Sequence, residues 1–165
     1  MTPDFIEALL AGRPDEAARL LEIALPDDGL GSNAERFLQH RLGQLRRERD
    51  VQRWLARAIV LREAGRPLIG HVGFHGEPGL NSAAAPAAVE IGYSILPEHR
   101  RRGYASEAVA ALLDWARTQD IHHFVASVAP DNAPSLAIIQ KLGFVRTGEH
   151  IDPEDGLEHV YELRD

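Results

Sequence analysis

The hydrophobic period of this chain changes at Trp54, and that change limits the folds open to it. Before it, Phe5, Ile6, Leu9 and Leu10 fall on one helical face between a Thr2-Pro3 start and Gly12. Ser32 and Glu35 then have capping-box spacing, and Phe37, Leu38, Leu42 and Leu45 recur at helical intervals, which predicts a second helix over about 33–49. After it the apolar runs are strand-like. Ala56–Leu61 and Leu68–His75 flank the turn residues Gly65-Arg66-Pro67, and Ala88–Leu96 reads as a third strand ended by Pro97. Between them, 76–86 is rich in Gly, Pro, Ala, Asn and Ser and reads as a surface loop. A helix over about Tyr104–Thr118, a strand His123–Val128, a helix Ala133–Leu142 and strands near Val145–His150 and Glu158–Leu163 complete the chain. This order predicts an α/β (mixed α+β) fold with helices on both faces of a mixed sheet. At 165 residues it is expected to be one domain, 1–165, whose residues 1–53 form a helical region.

Composition removes several functional classes. With 44% hydrophobic and 26% charged residues the chain is of the soluble globular type, and no apolar run approaches the roughly 18 residues of a spanning helix. The acidic start MTPDFIEALL does not resemble a signal or transit peptide, so a cytoplasmic protein is expected. Cysteine is absent, which excludes disulfides, thiolate nucleophiles and Cys-based metal sites. A net charge of −7 is a poor footprint for nucleic acid. Arg36, Arg41, Arg46, Arg47 and Arg49 on the second helix read as a solvated polar face, since acids are interspersed and no aromatics alternate with them.

Chemistry is concentrated in two stretches. In Glu90-Ile-Gly-Tyr-Ser-Ile-Leu-Pro-Glu-His-Arg-Arg-Arg-Gly-Tyr-Ala-Ser-Glu-Ala108 a strand runs through a basic loop into a helix starting near Gly103. A helix start offers unpaired N–H groups and the positive end of a dipole, so this is a candidate anion site. Gly103 permits close backbone approach and Arg100, Arg101 and Arg102 add charge. Alone, the stretch is equally a solvated Arg-rich turn before an ordinary helix. It is neither a dinucleotide fingerprint nor a phosphate loop. The second stretch, Pro130-Asp-Asn132-Ala-Pro-Ser135 to Lys141-Leu-Gly-Phe144, lies at the end of the next strand and the start of the next helix.

Together the two stretches resemble the GNAT superfamily of N-acetyltransferases. Arg100 to Ala105 matches its acyl-CoA signature, Gln/Arg-x-x-Gly-x-Gly/Ala, and Asn132-x-x-Ser135 with Lys141-Leu-Gly-Phe144 matches the motif that follows. The Gly-Tyr-Ala-Ser-Glu-Ala run is most similar to the branch holding the ribosomal-protein N-terminal acetyltransferases. The likeness covers about residues 54–163, and implies a mostly antiparallel mixed sheet, splayed where acetyl-CoA binds, with residues 54–165 as the acetyl-CoA-binding core and 1–53 on the acceptor side. By this resemblance the backbone of Arg101, Arg102, Gly103, Tyr104 and Ala105, helped by the Ser106 hydroxyl, would hold the CoA pyrophosphate. The strand edge of Ser94, Ile95 and Leu96 would pair with the pantetheine amides, Asn132 would contact the pantetheine arm, and Ser135 would sit near the thioester sulfur. Acetyl-CoA as acyl donor and an amine acceptor are implied as partners, with no metal, no nucleic acid, no membrane and a monomeric or homodimeric state. Two departures stand out: 133–143 contains no Tyr to protonate the leaving thiolate, and Met1-Thr2-Pro3 runs straight into helix where relatives open with a strand.

The acceptor and the base remain open at this level. An amine must be neutral to attack, which at pH 7 costs about 4.6 kcal/mol for lysine and about 1–1.4 kcal/mol for an α-amine. A peptide α-amine or a small-molecule amine is therefore the expected acceptor. Glu90 occupies a place resembling the catalytic Glu of histone acetyltransferases, and alternation sets Glu90, Gly92 and Ser94 on one strand face. It is either the base, directly or through water, or an exposed or ion-paired strand residue. His71 and His75 share a face about 13 Å apart, too far for a common metal. Tyr93 and Trp115 read as core, and Glu149 and Glu158 as reserve bases. An acyl-CoA-binding sensor or interaction module on the same fold is the alternative to an enzyme.

Overall fold

The computed structural model describes residues 1–27, 30–31, 34–48, 50–153 and 156–165. Three helices come first: α1 Pro3–Leu10, α2 Pro14–Leu21 and α3 Ala34–Arg47. Thr2 caps α1 as its sequence predicts, the hydroxyl accepting from the Phe5 amide at 3.3 Å ahead of Pro3. The helix α2 was not anticipated. Its eight residues sample little more than two turns, and Gly12 reads as a stop although Pro14 restarts the helix at its first position. Ser32 and Arg49 lie outside the described residues, so the predicted capping box is not visible.

The strands β1 Arg57–Val60, β2 Leu68–Phe74 and β3 Val89–Ile95 lead through α4 Tyr104–Arg117 to β4 His123–Val128. The helix α5 Ala133–Lys141 and the strands β5 Val145–Asp152 and β6 Gly156–Arg164 follow. The sheet order is β1-β2-β3-β4-β6-β5, antiparallel except for β3 and β4. The fold is thus the mixed α/β architecture its element order implies. On one face Val72, Phe74, Val89 and Phe124 pack with Val109, Leu112 and Leu113 of α4 and Ile139 of α5. On the other, Phe5 and Ile6 of α1, Ala17 of α2 and Leu38, Leu42 and Leu45 of α3 pack around Leu55 and Leu68. The helical first third therefore covers the sheet as one of its two layers.

Not all of α3's outer arginines are solvated, and Arg41 is the correction. It is buried, and its guanidinium donates to the Gln44 side chain at 2.8 Å and to the His75 carbonyl at 3.0 Å. Gln44 donates to the same carbonyl at 2.8 Å. Together they fix α3 to the end of β2, whereas Arg46 stays exposed and pairs with Glu7 at 2.9 Å. No helix among the described residues is long and apolar enough to cross a membrane.

Candidate active site

The parallel strands β3 and β4 pair only at Val89 with Phe124 and Glu90 with Val125. Beyond that point β3 continues to Ile95 beside β2 alone, so a gap opens towards β4. The Glu90 carbonyl and the Leu96 amide both bond to β2, at 2.8 and 2.9 Å. Ladder alternation then assigns the backbone of Glu90, Gly92, Ser94 and Leu96 to β2, and turns that of Ile91, Tyr93 and Ile95 towards the gap. Of the predicted edge Ser94, Ile95 and Leu96, only Ile95 offers backbone groups there, and Tyr93 joins it. The Ile95 carbonyl already accepts from Arg100 Nε at 2.9 Å, which ties that arginine back to the strand and away from its two neighbours.

The gap leads to the start of α4. Gly103 is its N-cap with φ +86°, in the left-handed region, and a Cβ there would have nothing within 4 Å. No side chain caps this helix, so the amides of Tyr104, Ala105 and Ser106 are left without helical partners. Arg101 is left-handed too, at φ +58°, and Arg101 and Arg102 are exposed. An open helix start with free amides and two exposed cations beside it is an arrangement that can receive an anion.

Across the gap, Asn132 caps α5, its Oδ1 accepting from the Ser135 amide at 3.2 Å. That leaves its Nδ2 for other partners. Ser135 is half-buried at the first turn, where it acts on the buried Tyr93 hydroxyl. Burial outweighs this contact and pushes the Tyr93 phenol up. The ring of Tyr93 packs against the core, and its hydroxyl is buried. This agrees with the sequence reading of Tyr93 as core.

On the opposite sheet face His71 stands across from Ser94, Gly73 from Gly92, and the His75 amide bonds the Glu90 carbonyl. Glu90 is neither exposed nor simply ion-paired: only 4% of it is exposed. Its carboxylate accepts from the Ser82 amide at 2.7 Å and the Ser82 hydroxyl at 3.2 Å, and that hydroxyl is 2.6 Å from the Ser127 hydroxyl. The predicted loop thus folds down as a cover over Glu90. Asn81 holds it in place, accepting from the Ala85 amide and donating to the Ala85 and Ala88 carbonyls. The exit from Glu90 towards solvent is His75, whose Nδ1 lies 3.8 Å from Oε1. The imidazole is 46% exposed and crosses Gly92 so closely that a Cβ there would meet Nε2 at 3.0 Å. Protein packed around it and the charges of Arg41 and His40 push its pKa down against the opposing pull of Glu90 and Asp152. His71 stacks on Phe37 at 4.2 Å, and burial followed by Arg41's charge lowers it to about 4. Glu149 is exposed and pairs with Arg146 at 3.5 Å, away from this cluster. Among the described residues no group of three or more His, Cys, Asp or Glu could hold a metal.

A family model for the acetyltransferase (GNAT) domain matches residues 3–145. The chain belongs to the GNAT family. Its sequence is 34% identical over 91 residues to YnaD of Bacillus subtilis, an uncharacterized N-acetyltransferase, an alignment covering 54% of this chain and 49% of that one. The chain spans about half the length of the curated relatives it matches. Its fold is similar to that of a ribosomal-protein-S5-alanine acetyltransferase from Vibrio fischeri, with a TM-score of 0.59 and 22% identity over 79% of this chain and 70% of the other. A ribosomal-protein-alanine N-acetyltransferase from Brucella melitensis aligns over 100% and 97%, with a TM-score of 0.63 and 19% identity. These neighbours fall in the branch that the Gly103 motif resembles, and they share the GNAT fold.

Proposed function

We propose that the chain transfers an acetyl group from acetyl-CoA to a primary amine, a peptide α-amine or a small-molecule amine, by direct attack. The observation that carries this is the splay of β3 from β4 leading to the uncapped, glycine-opened start of α4. Arg101 to Ala105, with Ser106, would hold the pyrophosphate. Tyr93 and Ile95 would offer main-chain partners to the pantetheine arm across from Asn132, and Ser94 and Leu96 form the strand's acceptor side.

The amine would approach from the His71–Ser94 face. His75 is exposed, has its pKa pushed down and lies over Gly92, so it would take the amine's proton, and Glu90 behind it, 3.8 Å away, would balance the charge it gains. This gives Glu90 its part in deprotonation through a neighbour instead of at the substrate. On the donor side Ser135, beside the Tyr93 hydroxyl, would assist the leaving thiolate.

The second reading, an acyl-CoA-binding module without turnover, draws on the absence of Tyr from α5 and on the cover over Glu90. Thiol release from acetyl-CoA across a panel of amines, run beside calorimetric CoA binding, separates the two. Turnover with any amine supports the enzyme. Tight CoA binding with none supports the module.

A further inference from the structure

At the Ser94 end of the acceptor face lies a cavity of about 220 Å³, lined in part by Phe37, Leu38, Leu68, His71, Ser94 and Leu96. Ser94 and Leu96 flank Ile95 on the strand whose other edge faces the β4 gap, so cavity and gap share a wall one strand thick. The lining is almost entirely carbon, and no acidic side chain among the described residues contributes to it. His71 presents a neutral ring flat against Phe37. The fixed charge beside this wall is positive: the Arg41 guanidinium lies 5.1 Å from the Phe37 ring centroid. A second cation on an acceptor would lose its hydration here, meet a like charge and find no carboxylate among the described lining residues. An apolar group loses nothing and leaves water, and dry cavities of about 150 Å³ with this kind of lining accept benzene-sized molecules.

We infer that the cavity receives an uncharged apolar substituent of the acceptor, so that the acetylated amine is one borne beside an aliphatic or aromatic group, such as an apolar amino-terminal residue, and not a polyamine or aminosugar. This rests on the acetyltransfer reading above for the identity of the ligand, though not for the affinity of the cavity.

The test uses peptides identical except for a first residue of Leu, Phe, Gly, Ser or Lys, with spermidine as the polycation. Thiol release from acetyl-CoA is measured for each, together with its binding to the CoA-loaded protein by ligand-observed NMR. Leu and Phe are expected to exceed Gly and Lys at least tenfold in kcat/KM and in affinity. Ala34 also lines the cavity from the first turn of α3, and Ala34→Phe should fill it and flatten that ranking with CoA affinity unchanged. Phe37→Ala, at a half-buried position, should flatten it as well and serves if the first variant does not fold. A preference for Lys or spermidine, equal treatment of all peptides, or a ranking that survives both substitutions overturns the inference. Apolar-selective binding without turnover overturns the acetyltransfer reading and supports the cavity's assignment, and loss of CoA binding alone counts against the gap.

Discussion

A carboxylate as enclosed as Glu90, already accepting from the Ser82 amide and hydroxyl, is not open to direct contact with a substrate. His75 stands between it and solvent. Glu90→Gln is therefore expected to keep CoA affinity nearly intact and to lower kcat/KM by about 10²-fold, the range for lost proton-transfer assistance. The pH profile distinguishes this from a structural effect: raising pH should partly rescue Glu90→Gln, because free amine and hydroxide replace the missing help. His75→Gln should show the same profile, and the double variant should be little worse than either single one, since the two act as a unit. On the donor side, Ser135→Ala and Tyr93→Phe should each cost about tenfold in kcat, less than the base pair, because a thiol with pKa near 8.5 leaves tolerably even unprotonated. A Glu90→Gln enzyme near wild-type rate at pH 7 beside a dead Ser135→Ala would invert these roles.

At the scale of elements, the start of α4 joins fold to binding. Gly103 holds φ +86° with open space above it. Valine there adds backbone strain of about 1–2 kcal/mol and a branched side chain where phosphate oxygens must approach the amides. Gly103→Val is expected to lower Tm by a few degrees and to weaken CoA binding at least 10²-fold by calorimetry, and wild-type affinity should fall with salt if, as proposed, Arg101 and Arg102 face the phosphates. An unchanged affinity in the folded variant would refute the pyrophosphate seat. The glycine-opened start of α4 was legible in the sequence because it is local: a Gly, three Arg and a helical period lie within twenty residues, and the predicted bounds of α4 and β4 agree with the structure to within a residue. The Glu90–His75 pairing was not, since it depends on how 76–86 folds and on the register of β2 against β3. Arg41 sits on the helix's polar stripe, and only the end of β2, 34 residues on, makes it a buried tether.

For the molecule as a whole, two helical layers close on one sheet, and the layer of α1, α2 and α3 is fastened through titratable groups. His71 is clasped by Phe37 of α3 and keeps a pKa of about 4 against an ordinary 6.5, chiefly through burial. In the unfolded chain it protonates first, so its contribution to stability is full above pH 6.5 and is lost as pH falls towards 4. A shift of this size corresponds to about 3 kcal/mol as an order of magnitude. His40 and His75 are lowered as well and act in the same direction. Glu162, held by Arg164 and also bonded to His123, is lowered to about 2, so what it contributes is lost only below its unfolded value of about 4.5. The urea midpoint should accordingly fall in two stages as pH drops, the first between 6.5 and 4 and the second below 4.5. His71→Asn should flatten the first stage and leave the second, while Glu162→Gln should do the reverse. If His71→Asn unfolds with the same pH dependence as wild type, the clasp between α3 and the sheet is not what acid loosens.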